Sequence, residues 1–225
     1  MSVLRARRRR QGYCALFREA RDELNFALYI IPGGKCRMRD LRPVQERVLR
    51  DDPQVSKAVG PNPDMDVMKG APLRLGGIAK SYGDHLIILG DAAGHIDPLT
   101  GEGIQYAMDG AEIAAQTLAE AFAEDNLGEA SLKRYHDRWL QAFGYDFAWS
   151  RRFARFYLRY PAFLDAAAET LKRRGDPYLA QWAQIMTGAR PKRDFLKPRM
   201  LFPVLGDLWR RKWRGEAVAG ASGSV

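Results

Sequence analysis

Apolar residues are distributed differently in the two halves of the chain. In residues 12–17 (GYCALF) and 24–31 (LNFALYII) they crowd into short blocks rich in aromatic and aliphatic side chains, separated by the charged stretch REARDE. Blocks of this kind predict two strands joined by a turn, with Pro32-Gly33-Gly34 ending the second. Over residues 40–50 the apolar positions return at helical spacing, with Leu41, Val44, Val48 and Leu49 on one stripe and Asp40 as N-cap. Residues 60–71 read as loop and 73–75 as a short strand. Residues 85–89 (HLIIL) are continuously apolar, which predicts a strand buried on both faces, as in an α/β sheet. A loop over 92–100 leads to a long helix over 103–122. Its stripe is Ile104, Met108, Ala111, Ala115, Leu118 and Phe122, and Ala107, Gly110 and Ala114 leave room for another backbone.

Beyond residue 125 the pattern is helical throughout. Ser131 is placed to cap a helix running to 143, and a second covers 147–158. A third covers 161–174, with Pro161 at its first position and Gly175 just past its end. Asp176-Pro177 opens a fourth, stopped by Gly188. The aromatics of this region (Tyr145, Phe147, Trp149, Phe153, Phe156, Tyr157, Tyr160) come at mixed helical spacings and read mainly as packing, with the wall of a channel for a long apolar substrate as the alternative. From Pro203 onward, Leu205, Leu208, Trp209 and Trp213 share one face, with basic residues at the C-terminal end. That is the pattern of a helix lying at a membrane interface, or of a stripe packed on the helical region.

Composition sharpens this picture in only a few places. The 225 residues are 46% hydrophobic, enough for one good core. The formal charge of +9 is terminal: residues 1–10 hold five arginines and no acid, and residues 190–214 hold nine Lys/Arg against two acids. The middle of the chain is slightly acidic, which excludes a nucleic-acid face spread across the fold. Cys14 and Cys36 are isolated and suit a reducing compartment, both reading as small buried residues rather than nucleophiles. His85, His95 and His136 have no metal spacing. His95 reads as a ligand contact or a solvent-facing loop residue, and His136 as a surface residue. No apolar run reaches membrane-spanning length and no secretory signal is present, so an intracellular protein, at most peripheral to a membrane, is expected.

The informative stretch is Gly90-Asp91-Ala92-Ala93-Gly94, followed by Pro98 and Gly101-Glu102-Gly103, ahead of the long helix. A carboxylate at a strand end can accept hydrogen bonds from the hydroxyls of a ribityl or ribose chain. Small residues let a ligand lie against the backbone. The unpaired N–H groups of the helix start favour a phosphate or the electron-rich edge of a reduced flavin. Strand–Gly-Asp–loop–helix units also occur as plain connections, but this order of residues is far less common.

Residues 90–110, GDAAGHIDPLTGEGIQYAMDG, closely resemble the second flavin-binding motif of the para-hydroxybenzoate-hydroxylase-like flavoproteins, and among these the geranylgeranyl reductase family. GYCALF and PLRLGG (residues 72–77) are similar to that family as well. The resemblance spans roughly residues 12–125. It implies the C-terminal part of an FAD-dependent oxidoreductase: an α/β (α+β) chain in which part of an FAD/NAD(P)-binding fold, with a mixed sheet, precedes an all-helical C-terminal region. The divisions expected are a basic start (1–11), a sheet domain for FAD and substrate carrying the motif (12–125), a helical domain (126–190) and a basic amphipathic tail (191–225).

The cofactor implied is FAD. Asp91, with Gly90, would hold its ribityl or diphosphate region, Ala92 and Gly94 would allow close approach, Pro98 would sit beside the isoalloxazine, and Gly101, Gly103 and Ile104 would present backbone to the ring edge. The implied reaction is reduction of isoprenoid double bonds of a lipid substrate, with electrons from a nicotinamide or another donor. Peripheral membrane contact through 195–213 would fit such a substrate. A flavin monooxygenase acting on an aromatic ring and a non-catalytic binding module are the alternatives. No G-x-G-x-x-G follows a strand anywhere in the chain, so the dinucleotide fold for the ADP half of FAD is expected to lie outside it.

Overall fold

The computed structural model describes residues 12–19, 23–30 and 41–213. The Asp40 cap, the turn at Pro32-Gly33-Gly34, Cys36, the basic start and residues 214–225 lie outside these residues. Two units result, dividing between Ala71 and Pro72.

The first unit contains β1 (Gly12–Arg18) and β2 (Leu24–Ile30), paired antiparallel with Cys14 opposite Leu28 and Leu16 opposite Phe26. Two helices follow, α1 (Leu41–Asp51) and α2 (Pro53–Val59). Asp52 caps α2, its carboxylate accepting from the backbone N–H of Gln54 (3.0 Å) and Val55 (3.1 Å). Burial centres on Cys14, Val48 and Val55, with Val44 and Leu49 from the expected stripe packed beside them. Both expected strands and α1 are therefore present; α2 was not expected.

In the second unit, β3 (Tyr82–Gly83) and β4 (Leu86–Ile87) form a small antiparallel ladder. The expected buried strand at 85–89 is corrected here. Only two of its residues pair, and Leu86 and Leu89 are exposed, because no further strand is laid against them among the described residues. Nor do residues 73–75 form a strand. Just after them the chain hydrogen-bonds to the motif loop: the N–H groups of Gly76, Gly77 and Ile78 donate to the carbonyls of Ile96, Gly94 and Ala93.

The rest is helical: α3 (Ile104–Ala123), α4 (Glu129–Trp139), α5 (Tyr145–Arg159), α6 (Pro161–Arg174), α7 (Asp176–Met186) and α8 (Pro198–Trp213). Fold class thus agrees with expectation: mixed α/β with an all-helical C-terminal region. Ser131 does not cap α4, which begins at Glu129. A π turn over Leu140–Gly144 joins α4 to α5, and its wider winding keeps Trp139, Phe143 and Phe147 together against Tyr106 of α3. Phe153, Tyr157, Tyr178, Ile185, Phe195 and Met200 form a second core among α5, α7, α8 and a 3-10 turn over Lys192–Leu196. Packing is thus the role of most of the helical aromatics.

The orientation of α3 reverses the expected stripe. Ile104, Met108 and Phe122 are exposed (81%, 69% and 65%), while Tyr106, Gly110, Ala114, Thr117 and Ala121 face inward. Small residues on the inner face bring α3 close to α4, and Arg138 of α4 clamps Glu120 with two hydrogen bonds (2.9 and 2.8 Å).

Candidate functional site: the Gly90–Ile104 loop

The motif residues lie on one connected loop in the second unit. Gly90–Ala93 form a single 3-10 turn. It closes at Gly94, whose φ of 71° is left-handed, and a Cβ there would lie 3.1 Å from the backbone of Gly77. Only glycine meets both demands. The loop closes again where Gly101 N–H donates to Asp97 O and Asp97 N–H to Glu102 O, and it delivers the chain to α3.

The expected site residues divide between an outer rim and an inner side. Asp91, Ala92, Gly101 and Ile104 are exposed, and Gly90, Pro98 and Gly103 are half-buried. Gly94 is buried against Gly77, and Pro98 packs by Gly76. Asp91 and Gly103 are brought together: a Cβ at Gly103 would lie 3.4 Å from Asp91 Oδ1 and 3.1 Å from Ile96 Cγ1. Asp91 has no hydrogen-bond or ion-pair partner for its carboxylate among the described residues. Gly103 gives α3 no side-chain cap, and the first intrahelical bond runs from Ala107 N–H to Gly103 O, so the N–H groups of Ile104 and Gln105 are open beside that carboxylate. Arg74 reaches the same rim, donating from Nη1 to Ala92 O (3.2 Å).

Behind the rim is a polar network that sequence reasoning missed. Asp97 and Lys192 are both completely buried, with Lys192 Nζ 3.1 Å from Asp97 Oδ2. The same oxygen accepts from Ser150 Oγ (2.9 Å), while Oδ1 accepts from the N–H groups of Leu99 (2.7 Å) and Thr100 (3.1 Å). Lys192 Nζ also donates to Met186 O (3.0 Å), and Lys192 N–H donates to Asp146 Oδ1 (2.7 Å). Burial pushes the Asp146 carboxyl above its usual range, and the Lys192 backbone and charge oppose that rise. The only signal in the sequence was Asp97 beside Pro98, and nothing pointed to a lysine so far along the chain.

Two histidines also differ from expectation. His95 does not face solvent. It is buried, stacked on Trp139 (centroids 4.6 Å apart, 12° between planes), with Nε2 3.3 Å from Tyr135 Oη and Nδ1 without a partner. Burial, reinforced by the charge of His136, lowers its pKa from 6.5 to about 4. His136 is buried rather than on the surface, its Nδ1 2.8 Å from Ser81 Oγ.

This arrangement can do two things chemically. The inner network fixes the loop. The rim offers a negative acceptor and open N–H donors side by side, with no Cβ between them. An extended ligand carrying hydroxyls and an electron-rich edge matches that pair. FAD fits this donor and acceptor set, and the absence of a Cβ at Gly103 is what lets the start of α3 lie this close to Asp91, Ile96 and His95.

Comparison with known proteins shows what the chain is similar to. The chain is 32% identical over 163 residues to digeranylgeranylglycerophospholipid reductase 2 of Methanopyrus kandleri, covering 72% of this chain and 41% of that one. It is 36% identical over 134 residues to a digeranylgeranylglycerophospholipid reductase of Methanococcus vannielii, covering 57% and 32%. A higher identity, 52% over 209 residues, links it to conditioned medium factor receptor 1 of Dictyostelium discoideum, covering 91% and 41%. The chain thus spans about two fifths of the length of the first of these relatives. No protein-family model matches the chain, and no solved structure matches it. Among the described residues no helix is long and apolar enough to cross a membrane.

Proposed function

We propose that this chain forms the flavin-ring side of the FAD site of an oxidoreductase resembling the geranylgeranyl reductases, acting on the isoprenoid double bonds of a lipid. The observation that carries the reading is the unpartnered Asp91 carboxylate beside the uncapped start of α3. Similarity to reductases named for a digeranylgeranyl lipid supplies the substrate class. Asp91 accepts hydrogen bonds from ribityl hydroxyls, with Gly90, Ala92 and Gly94 shaping the turn that carries it. Pro98, Gly101 and Gly103 form the floor and edge of the ring site. The N–H groups at Ile104 and Gln105 stabilise negative charge at the ring edge. Ile104 and Met108, apolar and exposed, keep water from that edge. Bound FAD supplies the redox chemistry itself. Contact with a membrane through residues 195–213 belongs to the same reading, since the substrate is a lipid.

The experiment is a flavin titration on the whole protein. Asp91→Ala weakens FAD binding by about 1–3 kcal/mol, the cost of unpaired polar groups on the ligand, while Asp91→Asn retains part of it. Equal flavin occupancy in wild type and Asp91→Ala contradicts the reading.

A further inference from the structure

The helical end of the second unit carries a different kind of site. α6 and α8 run antiparallel, as their cross-pairs require: Glu169 meets Arg211, while Thr170 and Arg173 meet Asp207. Between the end of α6 and the first half of α8 lies an open cavity of about 490 Å³. Four arginines line it, Arg173, Arg174, Arg199 and Arg210, together with Phe202. The carboxylate nearest to them, Asp207, is 6% exposed and already accepts from Arg173, Arg210 and Thr170, each at 2.7 or 2.8 Å. It cannot also neutralise Arg174 or Arg199. Arg174 lies over the ring of Tyr178 (5.6 Å), and neither it nor Arg199 pairs with an acid among the described residues. The cavity therefore carries excess positive charge presented by planar guanidinium groups, which match phosphate oxygens.

Beside the cavity, α8 exposes a stripe that water does not favour. Phe202, Leu205, Trp209 and Trp213 fall on one face and are 65%, 41%, 62% and 75% exposed, with Trp209 and Trp213 in ring contact at 5.4 Å. The opposite face, Met200, Val204 and Asp207, is buried. At helical spacing Arg199 and Arg210 flank the stripe on the cavity side. Tryptophans level with arginines on a helix that lies flat are the arrangement of a surface-seated amphipathic helix.

We propose that the α6–α8 cavity seats the phosphate of an anionic phospholipid headgroup while Phe202, Trp209 and Trp213 enter the interfacial layer of the same membrane. This rests on the membrane-contact part of the reading above and gives it a residue-level site; it does not require the flavin. Charge complementarity selects anionic lipid over a neutral surface. The continuous apolar stripe selects a membrane over a nucleic acid, whose phosphates would leave the two tryptophans in water.

The test is co-sedimentation of the full chain with phosphatidylcholine vesicles, with and without phosphatidylglycerol. Three variants are compared: Arg174→Ala/Arg199→Ala, whose side chains pair with no described acid, Trp209→Ala/Trp213→Ala, and Lys133→Ala on a different helix. Circular dichroism confirms that each folds. The expected results are binding to the phosphatidylglycerol vesicles with a blue shift of tryptophan fluorescence, and weak binding to phosphatidylcholine alone. The arginine pair lowers affinity at least about tenfold, the tryptophan pair abolishes the blue shift, and Lys133→Ala changes nothing. Absence of binding to either vesicle overturns membrane contact altogether. Binding that the arginine pair leaves unchanged, or that is equal on neutral vesicles, overturns the headgroup site alone. Tighter binding to single-stranded RNA than to anionic vesicles overturns the choice of partner.

Discussion

Asp91 and Asp97 share one loop and meet opposite fates. Asp97 is fully buried and its two oxygens take four contacts, from Leu99 and Thr100 N–H, Ser150 Oγ and Lys192 Nζ. Asp91 is exposed and its carboxylate meets no donor among the described residues. A buried carboxylate with every lone pair occupied has nothing left to offer a ligand, and it holds the loop in shape. A carboxylate left open beside unpaired helix N–H groups contributes little to folding and is available for binding. The same residue type therefore serves structure at one position and, in our reading, chemistry at the other.

The largest effect expected is at the buried member. Asp97→Ala leaves the buried Lys192 ammonium only Met186 O and the more distant Asp146, 3.9 Å away, and Lys192→Ala leaves the buried Asp97 with no cation; each lowers unfolding free energy by about 3–5 kcal/mol in urea denaturation. The double variant loses much less than the sum, because neither charge is then left alone. Additive losses would break the pairing of the two. Next comes the acid limb of stability, through the buried His95. Its folded pKa of about 4 is below the ordinary 6.5, so the native state holds it neutral. As pH falls through 6.5 the unfolded chain takes up the proton first. The contribution of His95 is therefore complete above pH 6.5, is lost progressively down to about pH 4 and is constant below that. Denaturation curves at pH 7 and at pH 4.5 should differ by about 2 kcal/mol more in wild type than in His95→Gln. A smaller loss, about 1–2 kcal/mol, is expected for Gly110→Ala, because its Cβ would sit 2.6 Å from His95 Nδ1. Smallest of all is Asp91→Ala, whose thermal unfolding should stay within about 0.5 kcal/mol of wild type.

What could be seen in the sequence follows the same division between local and distant causes. Pro161 and Gly175 bound α6 as expected, and the strands β1 and β2 pair within the two apolar blocks, because the signals sit in the residues themselves. Helical periodicity located α3 but not its inward face. Gly110 and Ala114 face in and allow the close approach expected of them, whereas Ile104, Met108 and Phe122, expected inside, face out, because Trp139, Tyr106 and His95 already fill the space against α4. The apolar run at 85–89 implied cover on both sides, which depends on neighbouring strands that the run does not encode. For the candidate site, the loop leading into α3 was legible from the order of its residues. The Asp97–Lys192 pair was not, since it joins residues far apart in sequence through the packing of α5 and the 3-10 turn at Lys192–Leu196.

The most direct measurement compares flavin affinity and stability in the same Asp91→Ala variant of the whole protein. An FAD affinity reduced about tenfold or more, with an unfolding midpoint unchanged from wild type, is what an open binding carboxylate predicts. A variant that unfolds earlier yet binds FAD as tightly as wild type would place Asp91 with Asp97 among the residues that only hold the loop, and would remove the basis for the flavin site.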